Sequence, residues 1–106
     1  MQIDNAAKVF AELGNRTRLD ILRLLIKAGR EGLPIGDIQG QLGIPPSTLA
    51  FHLRGLVSAG LVEQERRGRM VLCRACFGRI NQSISFLKEQ CCLGDEQSMQ
   101  RRRRAA

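Results

Sequence analysis

The chain has 106 residues, with 17 Lys and Arg against 10 Asp and Glu and a formal net charge of +7. This length is enough for one small domain, and the excess of positive charge favours nucleic acid as a partner through phosphate contacts. The longest apolar run, near residues 19–26, is interrupted by Asp20 and Arg23, so the sequence predicts no membrane span.

The N-terminal residues and the four cysteines indicate where the protein works. Residues 1–10 lack the basic and apolar regions of a secretory signal peptide, which predicts a cytoplasmic protein. In that reducing compartment the cysteines are expected to be thiols or ligands rather than disulfides. Four arginines are consecutive at 101–104, a pattern typical of a solvated tail. We therefore expect a folded domain over residues 1–94 and a disordered basic tail over 95–106.

Three helices are predicted in the first half of the chain. Apolar residues at helical spacing predict a first helix over 3–13, and Asn15 is a suitable N-cap for a second helix over 16–28. The apolar arc of that second helix is broad, which predicts a central, buried helix. Two glycines and a proline mark residues 28–34 as a loop, and a short third helix follows at 35–42.

The stretch LGIPPSTLAFHLRGLVSAGLV, at residues 42–62, carries the most informative pattern. Pro46 suits the first position of a fourth helix that runs to about Ala59. Two short helices joined by a tight turn are typical of a helix-turn-helix, whose second helix enters the major groove of DNA. Ser47, Thr48 and Arg54 would then face DNA. A plain helical hairpin is the alternative interpretation.

A basic β-hairpin is predicted directly after this helix. Residues 61–75 have the pattern of two short strands, with Gly68 at the turn. Three cations lie at the tip: Arg66, Arg67 and Arg69. A basic hairpin after a recognition helix predicts a winged helix whose arginines bind backbone phosphate or the minor groove. A hairpin tip that only improves solubility is the alternative.

The segments ELGNRTRLDILRLL and FHLRGLVSAGLVEQERRGRMVLCRA resemble the ArsR/SmtB family of dimeric, metal-responsive bacterial repressors, and the resemblance covers residues 9–93. It implies a mainly α winged helix-turn-helix fold, with five helices and a small β-hairpin, that dimerises through its first and last helices and binds an inverted-repeat operator. It places the DNA-reading helix on residues 46–56, beginning at Pro46, and turns these residues toward the groove: Ser47, Thr48, Ala50, Phe51 and Arg54. The family often has a serine where Ala50 stands, so one candidate hydrogen bond to a base is missing.

His52, the single histidine, lies between Leu49 and Leu53 in the predicted recognition helix. Members of the family commonly keep a histidine here without using it as a sensor, which favours a half-buried structural role. A phosphate contact and a metal ligand are the functional alternatives.

The resemblance narrows the sensor site to Cys91 and Cys92. The best-known arsenic site of the family uses cysteines on the helix before the reading helix, and its zinc and nickel sites use histidine in the last helix; this chain has neither. A third variant carries adjacent cysteines at the end of the last helix, as in FLKEQCCLG, and responds to trivalent arsenic, inorganic or methylated. Some members have a further cysteine near the position of Ser98, so a third ligand would come from elsewhere.

Chemistry and helical geometry bear on the same pair of cysteines. Trivalent arsenicals are soft and pair with soft thiolates. Neighbouring helical residues point about 100° apart, so both sulfurs reach one atom only where the helix ends or frays, as Gly94 just beyond suggests. Cys91 also continues an apolar stripe that predicts a dimer seam, formed by Phe77, Ile80, Ile84 and Leu87. Core packing of Cys91, with Cys92 incidental, is therefore the alternative.

Cys73 and Cys76 form a lone C-x-x-C, without the second pair of a zinc ribbon or the βαβ setting of a thioredoxin-like motif. Cys73 alternates with Val71 and Ala75 along a predicted wing strand, which predicts burial. It is also a candidate third ligand, whereas Cys76 is expected to be structural.

No recognisable motif of an enzyme is present, neither a nucleophile with its base nor a glycine-rich phosphate loop. The sequence instead indicates a homodimeric repressor without a resident cofactor. Its inducer would be a trivalent arsenical, arsenite or methylarsenite, bound by Cys91 and Cys92. A repressor of the same fold that responds to thiol oxidation or persulfides is one alternative, and a constitutive architectural DNA-binding protein is the other.

Overall fold

The computed structural model describes residues 1–95. It has five α-helices: α1 (Ile3–Leu13), α2 (Arg16–Ala28), α3 (Ile35–Leu42), α4 (Pro46–Ser58) and α5 (Phe77–Lys88). Three strands form one antiparallel sheet: β1 (Leu33–Pro34), β2 (Val62–Arg67) and β3 (Met70–Ala75). The prediction of a mainly α winged helix-turn-helix with five helices is confirmed.

Local signals in the sequence determine where the helices begin and end. The side chain of Asn15 accepts a hydrogen bond from the backbone N–H of Arg18 at 3.1 Å, which caps α2. Gly43 ends α3 in the left-handed conformation, with φ of 65°. Pro46 then occupies the first turn of α4, where its missing N–H costs nothing. Gly43 and Pro46 thus delimit the tight turn between α3 and α4.

The sheet has one strand more than the sequence predicted. Residues 28–34 were expected to be a loop, but β1 pairs with β3, with Leu33 opposite Cys73 and Pro34 opposite Leu72. A strand of two residues is too short to show an alternating pattern. Gly32, with φ of 71°, lies so close to the carbonyl oxygen of Cys73 that a side chain there would overlap it, which is why glycine precedes this strand.

The core lies between α2, α4 and the inner face of the sheet. Thirteen buried residues form one cluster, and Ile21, Leu22 and Leu25 are the α2 members. Helix α2 was predicted to be central and buried; it contributes these three residues to the core, while Leu19 and Ile26 remain 44% and 38% exposed. The apolar arc of α2 is therefore wider than the surface it buries in one protomer.

The last helix ends three residues before Cys91. Within α5, Phe77 and Ile80 pack against the core, whereas Ile84 and Leu87 are 51% and 70% exposed. The predicted seam is thus an apolar surface beyond the core of the protomer. Apart from its first residue, the predicted tail at 95–106 lies outside the described residues, and no helix within residues 1–95 is long and apolar enough to cross a membrane.

Candidate DNA-binding surface and cysteine site

The recognition helix α4 has one buried and one exposed face. Its buried residues are Leu49, His52, Leu53 and Leu56. Among the residues predicted to bind DNA, Pro46, Ser47, Phe51 and Arg54 are exposed and Thr48 is half-buried. The exposed residues recur at helical spacing, so packing of the leucines turns one continuous polar and aromatic face outward.

His52 lies on the inner side of this helix, with 9% of its surface exposed. Its Nδ1 accepts a hydrogen bond from the Nε of Arg18 at 3.2 Å, and its ring meets that of Phe51 edge-on, with centroids 5.4 Å apart. The histidine is thus held between helices, which favours the structural interpretation over a phosphate contact.

The wing carries its cations on two different faces. Gly68, with φ of 62°, makes the turn between β2 and β3. Successive strand residues point to opposite sides, so Arg66 shares the face of Gln64, which lines a groove with Arg54 of α4. Arg67 falls on the opposite face. The recognition helix and Arg66 therefore lie on one side of the wing.

An ion-pair network on that opposite face was not predicted from the sequence. Arg67 pairs with Glu65 at 3.3 Å, and Arg74 pairs with both Glu65 and Glu63. Hydrogen bonds from Arg74 and Arg67 lower the pKa of the Glu65 carboxyl. Within residues 1–95 neither Arg66 nor Arg69 has an acidic partner. These two cations are therefore more available to phosphate than Arg67.

Cys91 and Cys92 lie together at the surface after α5. Their sulfur atoms are 3.3 Å apart, close enough for one thiol to donate to the other, and both residues are exposed. Cys92 is the one non-glycine residue with positive φ among those described, at 64°. The pair therefore lies in a turn beyond α5, which ends at Lys88, and not within the helix.

The environment of the pair is a shallow groove rather than a closed pocket. Residues 86–91 line it, and they include the apolar Phe86 and Leu87 and the charged Lys88 and Glu89. Among the described residues no three His, Cys, Asp or Glu side chains are grouped as they would be around a metal ion. Within residues 1–95 the pair thus presents two sulfur atoms and no third side chain of these types beside them.

Cys73 and Cys76 lie apart from this pair. Cys73 is fully buried in β3, and its sulfur accepts a hydrogen bond from Gln64 Nε2 at 3.6 Å. Burial raises the pKa of the Cys73 thiol and also that of the half-buried Cys76. The structure therefore places the candidate third ligand in the core of the sheet.

Comparison with known proteins identifies the family. Residues 13–65 match the family model of a helix-turn-helix domain. The uncharacterized HTH-type transcriptional regulator MJ1325 of Methanocaldococcus jannaschii is 30% identical over 86 residues, 81% of this chain and 94% of that protein.

Solved structures agree with this assignment. An ArsR-like transcriptional regulator from Rhodococcus sp. RHA1 superposes with a TM-score of 0.79 at 28% identity, over 96% of this chain and 93% of that one. The homodimeric winged helix-turn-helix DNA-binding domain of Mb0332 from Mycobacterium bovis superposes with a TM-score of 0.67 at 26% identity, over 84% and 82%. The chain belongs to the ArsR family of helix-turn-helix transcriptional regulators.

Proposed function

We propose that the protein is a homodimeric repressor that binds an inverted-repeat operator and releases it when a trivalent arsenical binds Cys91 and Cys92. Arsenite and methylarsenite are the two candidate inducers. The DNA-binding part rests on the outward face of α4 beside the wing, and the sensory part rests on the two converging thiols.

The DNA-binding surface consists of α4 and the wing tip. Ser47 and Arg54 lie on the exposed face of α4, where they can hydrogen-bond to base edges in the major groove. Arg66 and Arg69, which have no acidic partner within residues 1–95, supply phosphate contacts that are independent of sequence. Two such surfaces related by a dimer axis match half-sites about one helical turn apart, roughly 34–36 Å.

Dimerisation is proposed through α1 and α5. Both helices leave large apolar side chains exposed in the protomer: Ile3 and Phe10 on α1, and Ile84 and Leu87 on α5. The two helices pack against each other, so these side chains belong to neighbouring surfaces. Burying them against a second copy would remove apolar surface from water.

The distance between the two sulfurs is the observation that carries the sensory proposal. A thiolate–metal bond is about 2.3 Å, so two sulfurs bound to one atom of similar size at roughly a right angle lie about 3.3 Å apart. Cys91 and Cys92 already have this separation, 3.3 Å. Soft thiolates are the ligands that a soft, trivalent arsenical prefers.

The binding step is an exchange of ligands on arsenic. Each thiol gives its proton to a hydroxyl group that leaves the arsenical, so two As–S bonds replace two As–O bonds and two waters depart. In methylarsenite the third substituent is a methyl group, which needs no protein ligand. A site with two sulfurs therefore suits the methylated inducer at least as well as arsenite.

The position of Cys73 weakens the alternative of a thiol-redox response. A disulfide between adjacent cysteines closes a strained ring, which leaves pairing of one of them with Cys73 as the redox route. That thiol is fully buried, and its raised pKa disfavours the reactive thiolate. The arsenical response requires only Cys91 and Cys92, both of which are exposed.

Operator release, followed by fluorescence anisotropy, tests the proposal. An operator is first selected from a library of random inverted repeats and then titrated, in complex with the protein, with arsenite, methylarsenite, zinc and hydrogen peroxide. We expect release by an arsenical and not by zinc. Cys91→Ser and Cys92→Ser should each bind operator with wild-type affinity yet resist release, because one As–S bond is lost.

Cys76→Ser is the matched control, since this thiol lies outside the pair, and it should respond as the wild type does. A Cys91→Ser/Cys92→Ser protein that released DNA at wild-type arsenical concentrations would contradict the sensory proposal. Release by hydrogen peroxide alone would favour the redox alternative, and a protein that no compound releases would favour the constitutive one.

A further inference from the structure

Three helices meet at one arginine inside the protomer. Arg18, in the first turn of α2, places its Nη1 2.8 Å from Glu12 Oε2 on α1. Its Nε donates to His52 Nδ1 on α4 at 3.2 Å. The centre of the same guanidinium lies 5.6 Å from the centroid of the Phe51 ring. One side chain therefore contacts α1 and α4 at the same time.

Arg18 and Glu12 are both largely buried, so each needs the other as a partner. The side chains of Arg18 and Glu12 are 17% and 22% exposed, and Glu12 Oε2 is buried without a directional hydrogen bond. A buried charge is costly unless it is paired, so Glu12 depends on Arg18 for its neutralisation. The planar fork of arginine can serve an acceptor on each of two helices, which the single ammonium of lysine cannot do in the same geometry.

Gly55 on α4 provides the space for this pair. A Cβ at this position would overlap Glu12 Oε2 and lie 3.3 Å from Arg18 Nε. The carboxylate and the guanidinium thus occupy the volume that a side chain at position 55 would fill. A side chain at position 55 would therefore meet the ion pair itself rather than the backbone of α1.

The exposed end of the cluster reaches the DNA-facing side of α4. Phe51 is 56% exposed and shares that face with Ser47 and Arg54. Its ring is held from within by the guanidinium of Arg18 and by the edge-on contact with His52. Arg18 therefore restrains both the buried and the exposed side of the same helical turn.

We infer that Arg18 is a positioning residue, which fixes the recognition helix relative to α1 without touching DNA itself. The inference rests on the proposed function, in which α4 binds the operator. Because α1 packs against both α4 and α5, the cluster also joins the reading surface to the helix that leads to the cysteine pair.

Replacing Arg18 tests the inference with three readouts: operator affinity, its dependence on salt, and the free energy of unfolding. Arg18→Met keeps the apolar stem and removes the guanidinium. We expect operator affinity to fall roughly tenfold or more, since a charge-assisted hydrogen bond and its ion pair are lost. Affinity for random DNA should fall less, and the salt slope should stay as in the wild type. Arg23→Met, on the exposed side of the same helix, is the matched control and should bind as the wild type does.

Two further variants keep the inference testable if Arg18→Met folds poorly. Arg18→Lys should retain the pair with Glu12, and with it most of the stability, yet recover only part of the operator affinity. Gly55→Ala should reproduce the loss, because the added methyl displaces Glu12. Its effect and that of Glu12→Ala should be strongly non-additive in a double-mutant cycle.

Four outcomes would overturn the inference. One is wild-type operator affinity in a folded Arg18→Met protein. Another is a salt slope lowered by about one, which would make Arg18 a direct phosphate contact. A third is an equal loss on operator and random DNA, and the fourth is additivity of Gly55→Ala and Glu12→Ala. If the wild type bound no inverted repeat, the proposed function would fail and this inference with it.

Discussion

The recognition helix and the segment after α5 differ in what determines their conformation. Helix α4 is held by buried side chains and by the contacts of Arg18, which come from distant parts of the chain. Residues 89–92 are turns held by local bonds, such as that from Cys91 N to Lys88 O at 2.9 Å. The reading surface can thus move only together with its neighbouring helices, whereas the cysteine segment can be reshaped by a ligand at small cost.

The largest effect expected from this difference concerns stability. Leu56 of α4 is fully buried, and Leu56→Ala should lower the free energy of unfolding by about 2–5 kcal/mol through lost burial and the cavity that remains. Leu87→Ala, in the exposed part of α5, should lower the free energy of unfolding of the dissociated protomer by less than about 1 kcal/mol. Urea denaturation followed by circular dichroism measures both.

Repeating these denaturation curves at several protein concentrations tests whether Leu87 lies in a dimer interface. If Leu87 lies in a dimer interface, its replacement should be most destabilising at high protein concentration, where the wild type is dimeric, and should lose most of its effect on dilution, because folding and association are then linked. A large loss for Leu87→Ala at every concentration would contradict its exposure in the protomer. A small loss for Leu56→Ala would contradict the packing of α4.

Sequence patterns predicted the helices, whose apolar residues recur with the period of the helix. Helical spacing, the Asn15 cap and Pro46 predicted the bounds of the first four helices within a residue, because each rests on interactions between near neighbours in the chain. The last helix was expected to end at the two cysteines, but it ends at Lys88. The strand β1 was missed because two residues carry no periodicity. Its existence depends on Gly32, which allows a close approach to β3, and such proximity is not visible in local sequence.

The exposed face of α4 could be predicted from the sequence, whereas the ion pairs and the geometry of the two thiols could not. The exposed face of α4 follows from the spacing of its leucines, so Ser47 and Arg54 could be assigned to it in advance. The partners of Arg18 and Arg74 could not be predicted, since Arg18 meets Glu12 only through the turn after α1, and Arg74 meets Glu63 and Glu65 only through the pairing of β2 with β3. The two thiols lie beside a left-handed backbone at Cys92, and a positive φ at a cysteine cannot be predicted from the residue type.

The rate of thiol alkylation should differ between the exposed cysteines after α5 and the buried cysteine of the sheet. Cys91 and Cys92 are exposed, so iodoacetamide should modify them at least about a hundredfold faster than Cys73, which must wait for opening of the sheet. The raised pKa of Cys73 lowers its thiolate fraction further. Mass spectrometry of timed samples at pH 7.5 measures the order. Fast modification of Cys73 in the native protein would contradict its burial.

The wing allows a matched comparison between two arginines. Arg69 has no acidic partner among residues 1–95, whereas Arg67 is held by Glu65 at 3.3 Å. We expect Arg69→Ala to weaken binding on all sequences and to reduce the salt slope by about one. Arg67→Ala should change the slope less, because its charge is already engaged. Equal slopes for both variants would show that the pair with Glu65 opens on DNA.

The smallest expected effect is a loss of stability in alkali that comes from Cys73. Burial raises the pKa of this thiol above its ordinary value of 9.0, and the hydrogen bond from Gln64 offsets only part of that rise. The unfolded chain therefore loses its proton before the folded protein does. The stability that the neutral thiol provides is present in full below pH 9 and is lost as the pH rises toward the folded value, with a slope of at most about 1.4 kcal/mol per pH unit. Cys73→Ala should be less stable at neutral pH because it leaves a small cavity, yet its unfolding free energy should fall less steeply between pH 8.5 and pH 10. Denaturation curves at closely spaced pH values measure the two slopes, and parallel slopes would show that Cys73 titrates alike in the folded and unfolded chains.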